Sequence, residues 1–206
     1  MKAHLDQLEI YLLSLEEKYI TPHNDPLQTP ADYQLDVRSF CVLAHAAFEE
    51  FLENLSLYVL NEIESNFTNH QRISYSSLCL LHFKGIDKDV DSDNWKDEDR
   101  LFDRLKGQIY SIKSSFSKYI MEGNHGIRLK YLKKLLIPLG IDLPSEIQIL
   151  SSLENLANYR GAYAHTSYRK NLVVSPEDAW KCVQDVYQMC VNLTEKARKI
   201  SYYSIH

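Results

Sequence analysis

The chain has 206 residues, 45% of them hydrophobic, which suits one ordinary domain with a real core, so a single domain over 1–206 is expected. Its amino terminus mixes charges into every turn and no apolar run is long enough to span a bilayer, so the sequence argues against a signal peptide and a membrane protein and for a cytoplasmic one. A net charge of −5 argues against blanket electrostatic binding to nucleic acid and leaves room for a local basic patch.

The periodicity predicts helices throughout. Leu5, Leu8, Leu12, Leu15 and Tyr19 form one apolar stripe on a first helix, and "TPHNDPLQTP" ends it, making residues 1–29 an N-terminal helix and linker. A second, long helix starts at "TPAD", where Thr29 caps, Pro30 suits the first turn and Asp32 complements the positive helix end. Its stripe runs through Val37, Cys41, Ala44, Phe48, Phe51, Leu55 and Val59 to about Phe67. Further helices are expected near 74–83, 99–121, 127–138 and 145–163, separated by an acidic loop at 84–99, by "EGNHG" and by "PLGIDLP". "SPED" repeats the start signal ahead of a long closing helix carrying Ala179, Val183, Val186, Cys190, Leu193 and Ala197. "NLVV" is the one hint of a strand, too short to build a sheet. The expected fold is an all-α bundle of about six to seven helices.

Several stretches carry a functional reading beside a plain one. Asp87, Asp89, Asp91 and Glu98 fall at positions 1, 3, 5 and 12 of an EF-hand-like loop. Ser92 replaces the glycine of its sharp turn and Asn94 its apolar residue, so a solvated acidic loop is expected instead of a calcium site. "RLKYLKK" puts Arg128, Lys130, Lys133 and Lys134 opposite Leu129, Leu132, Leu135 and Leu136, as a solvated basic face or a phosphate contact. His45 and Glu49 stand one helical turn apart, as in a half-buried structural contact. Cys41, Cys79, Cys182 and Cys190 lie in apolar helical patterns without a C-x-x-C pair, as reduced core thiols do. No phosphate loop, dinucleotide glycine signature, G-x-S-x-G elbow or H-E-x-x-H pair occurs, which disfavours the common nucleotide, hydrolase and zinc-protease chemistries.

The most informative stretch is "ENLANYRGAYAHTSYRK", where Arg160 and His165 stand around Gly161 at the end of a helix. By itself such a pair is as well explained by an arginine that caps carbonyls and a histidine that terminates the helix. Its setting, "YLKKLLIPLGIDLPSEIQILSSLENLANYRGAYAH", together with "LDVRSFCVLAHAAFEEFLENL", resembles the HEPN family, particularly the branch called RiboL-PSP-HEPN, over roughly residues 30–200. In that family a helix ends in Arg, four to six residues, then His, and Arg160 and His165 match those positions. Glu49 matches a position that often carries an acidic or polar side chain.

The resemblance implies a metal-independent endoribonuclease without a cofactor, whose Arg160 and His165 line one cleft across a homodimer. It also implies a toxin–antitoxin, stress or phage-defence setting, with RNA as substrate and an antitoxin or other regulatory protein as a partner. Gly161 departs from the polar residue, often Asn, that follows the arginine in active members. That departure leaves open a non-catalytic HEPN module binding RNA, a nucleotide or a partner protein. On an ideal helix five residues rotate His165 by about 140° from Arg160 and raise it about 7.5 Å, so the two cannot share one face, and Gly161 is expected to loosen the last turn. Gly161 and Tyr163 are candidate supporting residues. Tyr168, Arg169, Lys170, Arg128 and Lys130 are candidates for contacts with RNA bases and phosphates, and the tyrosines serve equally well as core or interface residues.

Overall fold

The computed structural model describes residues 1–25, 27–85, 101–165 and 173–202, with side chains for all of these except 101, 163–165 and 200–202. Seven α-helices account for most of them: α1 (Lys2–Tyr19), α2 (Pro30–His70), α3 (Tyr75–Lys84), α4 (Leu101–Lys118), α5 (Leu129–Leu136), α6 (Ile147–His165) and α7 (Pro176–Tyr202). The fold is all-α, with the long second and long closing helices that the apolar stripes predict. The acidic stretch from 86 to 100, which holds the EF-hand-like spacing, lies outside the described residues. Among the described residues no helix is long and apolar enough to cross a membrane.

The two "start" signals work through their acidic residues. Asp32 accepts hydrogen bonds from both the backbone N–H and the hydroxyl of Thr29, each at 2.8 Å. The Ser175 hydroxyl accepts from the Asp178 N–H at 3.0 Å and donates to its carboxylate at 2.7 Å. Each arrangement satisfies donors that a helix start otherwise leaves open and puts negative charge at the positive end of the dipole. No glycine or proline interrupts α2 after Pro30, so it runs for 41 residues. It ends where Gln71 turns left-handed at φ 52° and the Arg72 N–H reaches the Asn66 carbonyl at 3.1 Å.

The chain forms two compact units, and α2 contributes to both. The first comprises residues 1–52, 125–132 and 144–194. Its core is built from Leu8, Leu12 and Leu15 of α1, Phe40, Cys41, Ala44 and Phe48 of α2, Leu153 and Leu156 of α6, and Val183, Val186 and Cys190 of α7, all buried. Phe40 meets Trp180 edge-on at 6.1 Å, and Asp185 of α7 accepts hydrogen bonds from Ser152 (2.6 Å) and Gln148 (2.8 Å) of α6. A histidine clip closes the linker before α2, with the His23 ring 2.8 Å from Asp36 and 2.9 Å from Gln28.

The second unit comprises residues 53–124, 133–143 and 195–206. Leu55, Leu60, Ile63 and Phe67 from α2, Leu80 from α3 and Ile109 and Phe116 from α4 are buried there. Phe67 stacks on Phe102 with centroids 4.6 Å apart, and Lys113 pairs with Glu64. Past α4 the chain widens into one π-helical turn, Tyr119–Gly123. The four cysteines are free thiols, three buried and Cys79 half-buried.

Candidate functional site

The first unit contains an open cleft of about 170 Å³ between α2, α6 and the chain leading into α5. Its lining includes His45 from α2, His125, Gly126 and Arg128 from the loop, Lys130 and Tyr131 from α5, and Ala157, Arg160 and Gly161 from α6. Three cations and two imidazoles thus meet in one concavity of a chain whose net charge is negative.

The loop approaches α2 closely at a glycine. Gly126 has φ 148°, a conformation that side chains rarely adopt, and a Cβ there would stand 3.4 Å from the Tyr131 ring and 3.8 Å from His45 Cε1. Arg128 follows, fixed from α6: its Nε lies 3.3 Å from Glu154 Oε1, and its guanidinium donates to the Asn158 side-chain oxygen. Glu154 and Asn158 are four residues apart and so share one face of α6. Lys130 is exposed, with its ammonium 4.8 Å from the centroid of Tyr131.

Arg160 lies on α6 about one turn past Ala157, half-buried, and among the described residues no carboxylate forms an ion pair with it. Its charge is expressed on His45. Burial pushes that imidazole down, and Arg160 and then Arg128 push it further, to about 4, so the ring is neutral near pH 7. His45 Nδ1 stands 3.8 Å from Glu49 Oε2, beyond hydrogen-bond reach although the i,i+4 spacing brings the two groups to one face. The separation leaves Glu49 beside the cleft as a weak attraction for a charged ring.

Helix α6 runs unbroken through Gly161 to His165. The expected loosening of the last turn is absent, because backbone hydrogen bonding continues through the glycine at no steric cost. Among the described residues, nothing beyond its chain neighbours and its own helical backbone lies within 4 Å of where a Gly161 Cβ would be, so no close contact there explains the glycine. Arg160 and His165 therefore occupy one continuous helix, about 140° apart in rotation. The side chains of Tyr163 and His165, and all of Tyr168, Arg169 and Lys170, lie outside the described residues. Among the described residues no group of three or more His, Cys, Asp or Glu side chains is placed to hold a metal ion.

Of the residues singled out in the sequence, Arg128, Lys130, Arg160 and Gly161 come together in this cleft, with Glu49 at its edge. His45, His125 and Tyr131 join them. His45 carries a sequence signal, its spacing from Glu49, but that spacing points along α2 and not across to α6.

An all-α module with a helix-borne Arg and His and a basic cleft around the arginine is the class of protein defined here. A family model described as RiboL-PSP-HEPN matches residues 9–198, and the chain belongs to that family. No curated protein and no solved structure matched the chain.

Proposed function

We propose that this HEPN protein is a metal-independent endoribonuclease, with Arg160 and His165 as its catalytic residues and its sites paired across a homodimer. The observation that carries the reading is Arg160 itself, a guanidinium without an ion pair among the described residues, lining an open basic cleft on the helix that continues to His165. A guanidinium of this kind binds a phosphate oxygen pair and stabilises charge that develops in the transition state. The RNA brings its own nucleophile. An imidazole near its ordinary pKa of about 6.5 removes the 2′-hydroxyl proton or protonates the leaving oxygen. The rotation between Arg160 and His165 on an unbroken helix favours a second copy to complete the site. A toxin–antitoxin, stress or phage-defence setting in the cytoplasm, with a neutralising antitoxin or other regulatory protein, fits such an activity.

The purified protein should cut RNA in EDTA, leave a 2′,3′-cyclic phosphate and spare DNA, and Arg160→Ala or His165→Ala should each remove most of the activity while helix content stays. Wild-type protein that leaves a broad set of RNAs intact would sink this reading. One observation favours a second: Gly161 presents no polar side chain beside Arg160, as in a HEPN module that binds RNA, a nucleotide or a partner protein without cutting. Binding of RNA in a gel-shift assay without cleavage, unchanged in Gly161→Asn, would select it.

A further inference from the structure

The Arg160 cleft holds one buried titratable side chain that the proposed cleavage chemistry leaves unused. His45 is only 3% exposed, yet its ring forms part of the cleft wall. The groups facing it come from every side of the cleft. Glu49 lies one turn along its own helix, Arg160 on α6, Arg128 and His125 in the loop before α5, and Lys130 and Tyr131 on α5. Among the described residues three cations are set against two carboxylates, Glu154 on Arg128 and Glu49, which lies near His45 and has a further contact of its own. With a neutral His45 this leaves an excess of about one positive charge, and with a protonated one about two.

We propose that His45 matches the charge of this cleft to its ligand, neutral when the cleft is empty or holds a phosphate diester and protonated, donating a hydrogen bond, when a phosphate monoester dianion enters. The proton comes from solvent. The cleft thereby favours a terminal phosphate, carried by a mononucleotide or by an RNA end, over an internal diester.

The empty state is the one in which burial and two guanidinia keep the ring uncharged. A dianion seated on Arg160 and Arg128 reverses the sign of the charge facing the ring, and Glu49 at 3.8 Å then adds to the attraction for the proton. The cleft is large enough: about 170 Å³ corresponds to several waters at about 30 Å³ each, room for a phosphoryl group with part of its hydration. Gly126 lines the cleft beside His45, where a side chain at that position would come to 3.8 Å from His45 Cε1. The inference needs only an anion in the cleft and does not rest on RNA being cut.

Sulfate is the first probe, because it stays a dianion from pH 4 to 8 and its own titration cannot mimic that of the ring. NMR of ring-labelled histidine in the wild-type protein should place the His45 midpoint near 4 without sulfate and at about 7 or above at saturating sulfate. By calorimetry, sulfate affinity should rise more than tenfold from pH 7 to pH 5 in the wild type, lose most of that rise in His45→Gln and keep most of it in His125→Gln. AMP and a 3′-phosphorylated oligonucleotide are the second pair of probes. AMP should bind at least tenfold tighter than adenosine, and the 3′-phosphorylated oligonucleotide at least tenfold tighter than its 3′-hydroxyl form; binding of AMP alone assigns the mononucleotide, and binding of both assigns RNA ends as well. An unmoved His45 midpoint, absence of sulfate binding, or equal affinity with and without the terminal phosphate would overturn the proposal. Sulfate-linked protonation in a protein that cuts no RNA would remove the ribonuclease reading alone, and cleavage without that linkage would remove this one alone.

Discussion

Arg160 and His45 line one cleft, where the guanidinium adds to burial in keeping a proton off the imidazole, although the two residues lie on different helices far apart in the chain. The relationship couples the charge of the candidate site to the stability of the unit that contains it, which makes it accessible without any substrate.

The first prediction concerns acid. His45 titrates at about 4 in the folded protein and near 6.5 once unfolded, so between these values the unfolded chain binds more protons. Its contribution is complete above about pH 6.5 and is lost as pH falls toward 4, at up to about 1.4 kcal/mol per pH unit. His23 works in the opposite sense. Its hydrogen bond to Asp36 raises its pKa, so its stabilisation is present below 6.5 and lost as pH rises through the raised value. Urea denaturation at pH 6.5 and pH 5 should show a smaller loss in His45→Gln than in wild type, and an equal loss would refute the buried neutral ring.

Arg160→Lys separates geometry from charge. An ammonium keeps the positive charge and surrenders the planar fork, so RNA binding should fall little while cleavage falls at least tenfold. Single-turnover rates beside filter-binding affinities measure the two effects. Equal losses in both would mean that Arg160 serves binding alone.

The two glycines of the cleft should respond with opposite signs. Gly161→Ala meets open space within a continuous helix and should stabilise the protein by about 1 kcal/mol. Gly161→Asn should gain a few tenths. Gly126→Ala must hold φ 148°, a backbone conformation unfavourable to any side chain, which should cost about 1–3 kcal/mol. Chemical denaturation midpoints decide both, and a stabilising Gly126→Ala would show that the loop conformation is not required.

Assembly is the fourth. A site shared between copies requires a two-fold dimer with residues 158–168 of each copy facing the other. Sedimentation should report a dimer at micromolar concentration; a monomer there would leave Arg160 without a partner's histidine.

The helices were legible because their signals are local. Apolar residues at three- and four-residue spacing and the Thr29/Asp32 and Ser175/Asp178 starts act within one or two turns, where a linear reading suffices. The short helix α3 shows the limit of that vocabulary: Ser74 and Ser77 cap each other reciprocally, a serine doing what a glutamate usually does. The π-helical turn at Tyr119–Gly123 has no periodic signature of its own. The arginine of the candidate site was legible through a family spacing. The cleft around it was not, since His45, Gly126 and Arg160 meet by tertiary packing and no separation along the chain encodes that meeting. Gly161 misled in the other direction: a residue that weakens helices suggests a break, whereas neighbouring turns carry it through.

The cysteines described as core thiols have a practical consequence. Burial pushes the thiols of Cys41, to about 12, and Cys190 strongly upward, so neither offers a thiolate to an alkylating reagent while the fold is closed. Both belong to the first unit, whereas half-buried Cys79 lies in the second, against the turn at Gly140. Residue-resolved alkylation therefore gives each unit its own clock. Alkylation of Cys41, Cys190 and Cys79 that accelerates at one shared denaturant midpoint means that the chain opens all at once, and separate midpoints mean that one unit comes apart while the other still holds.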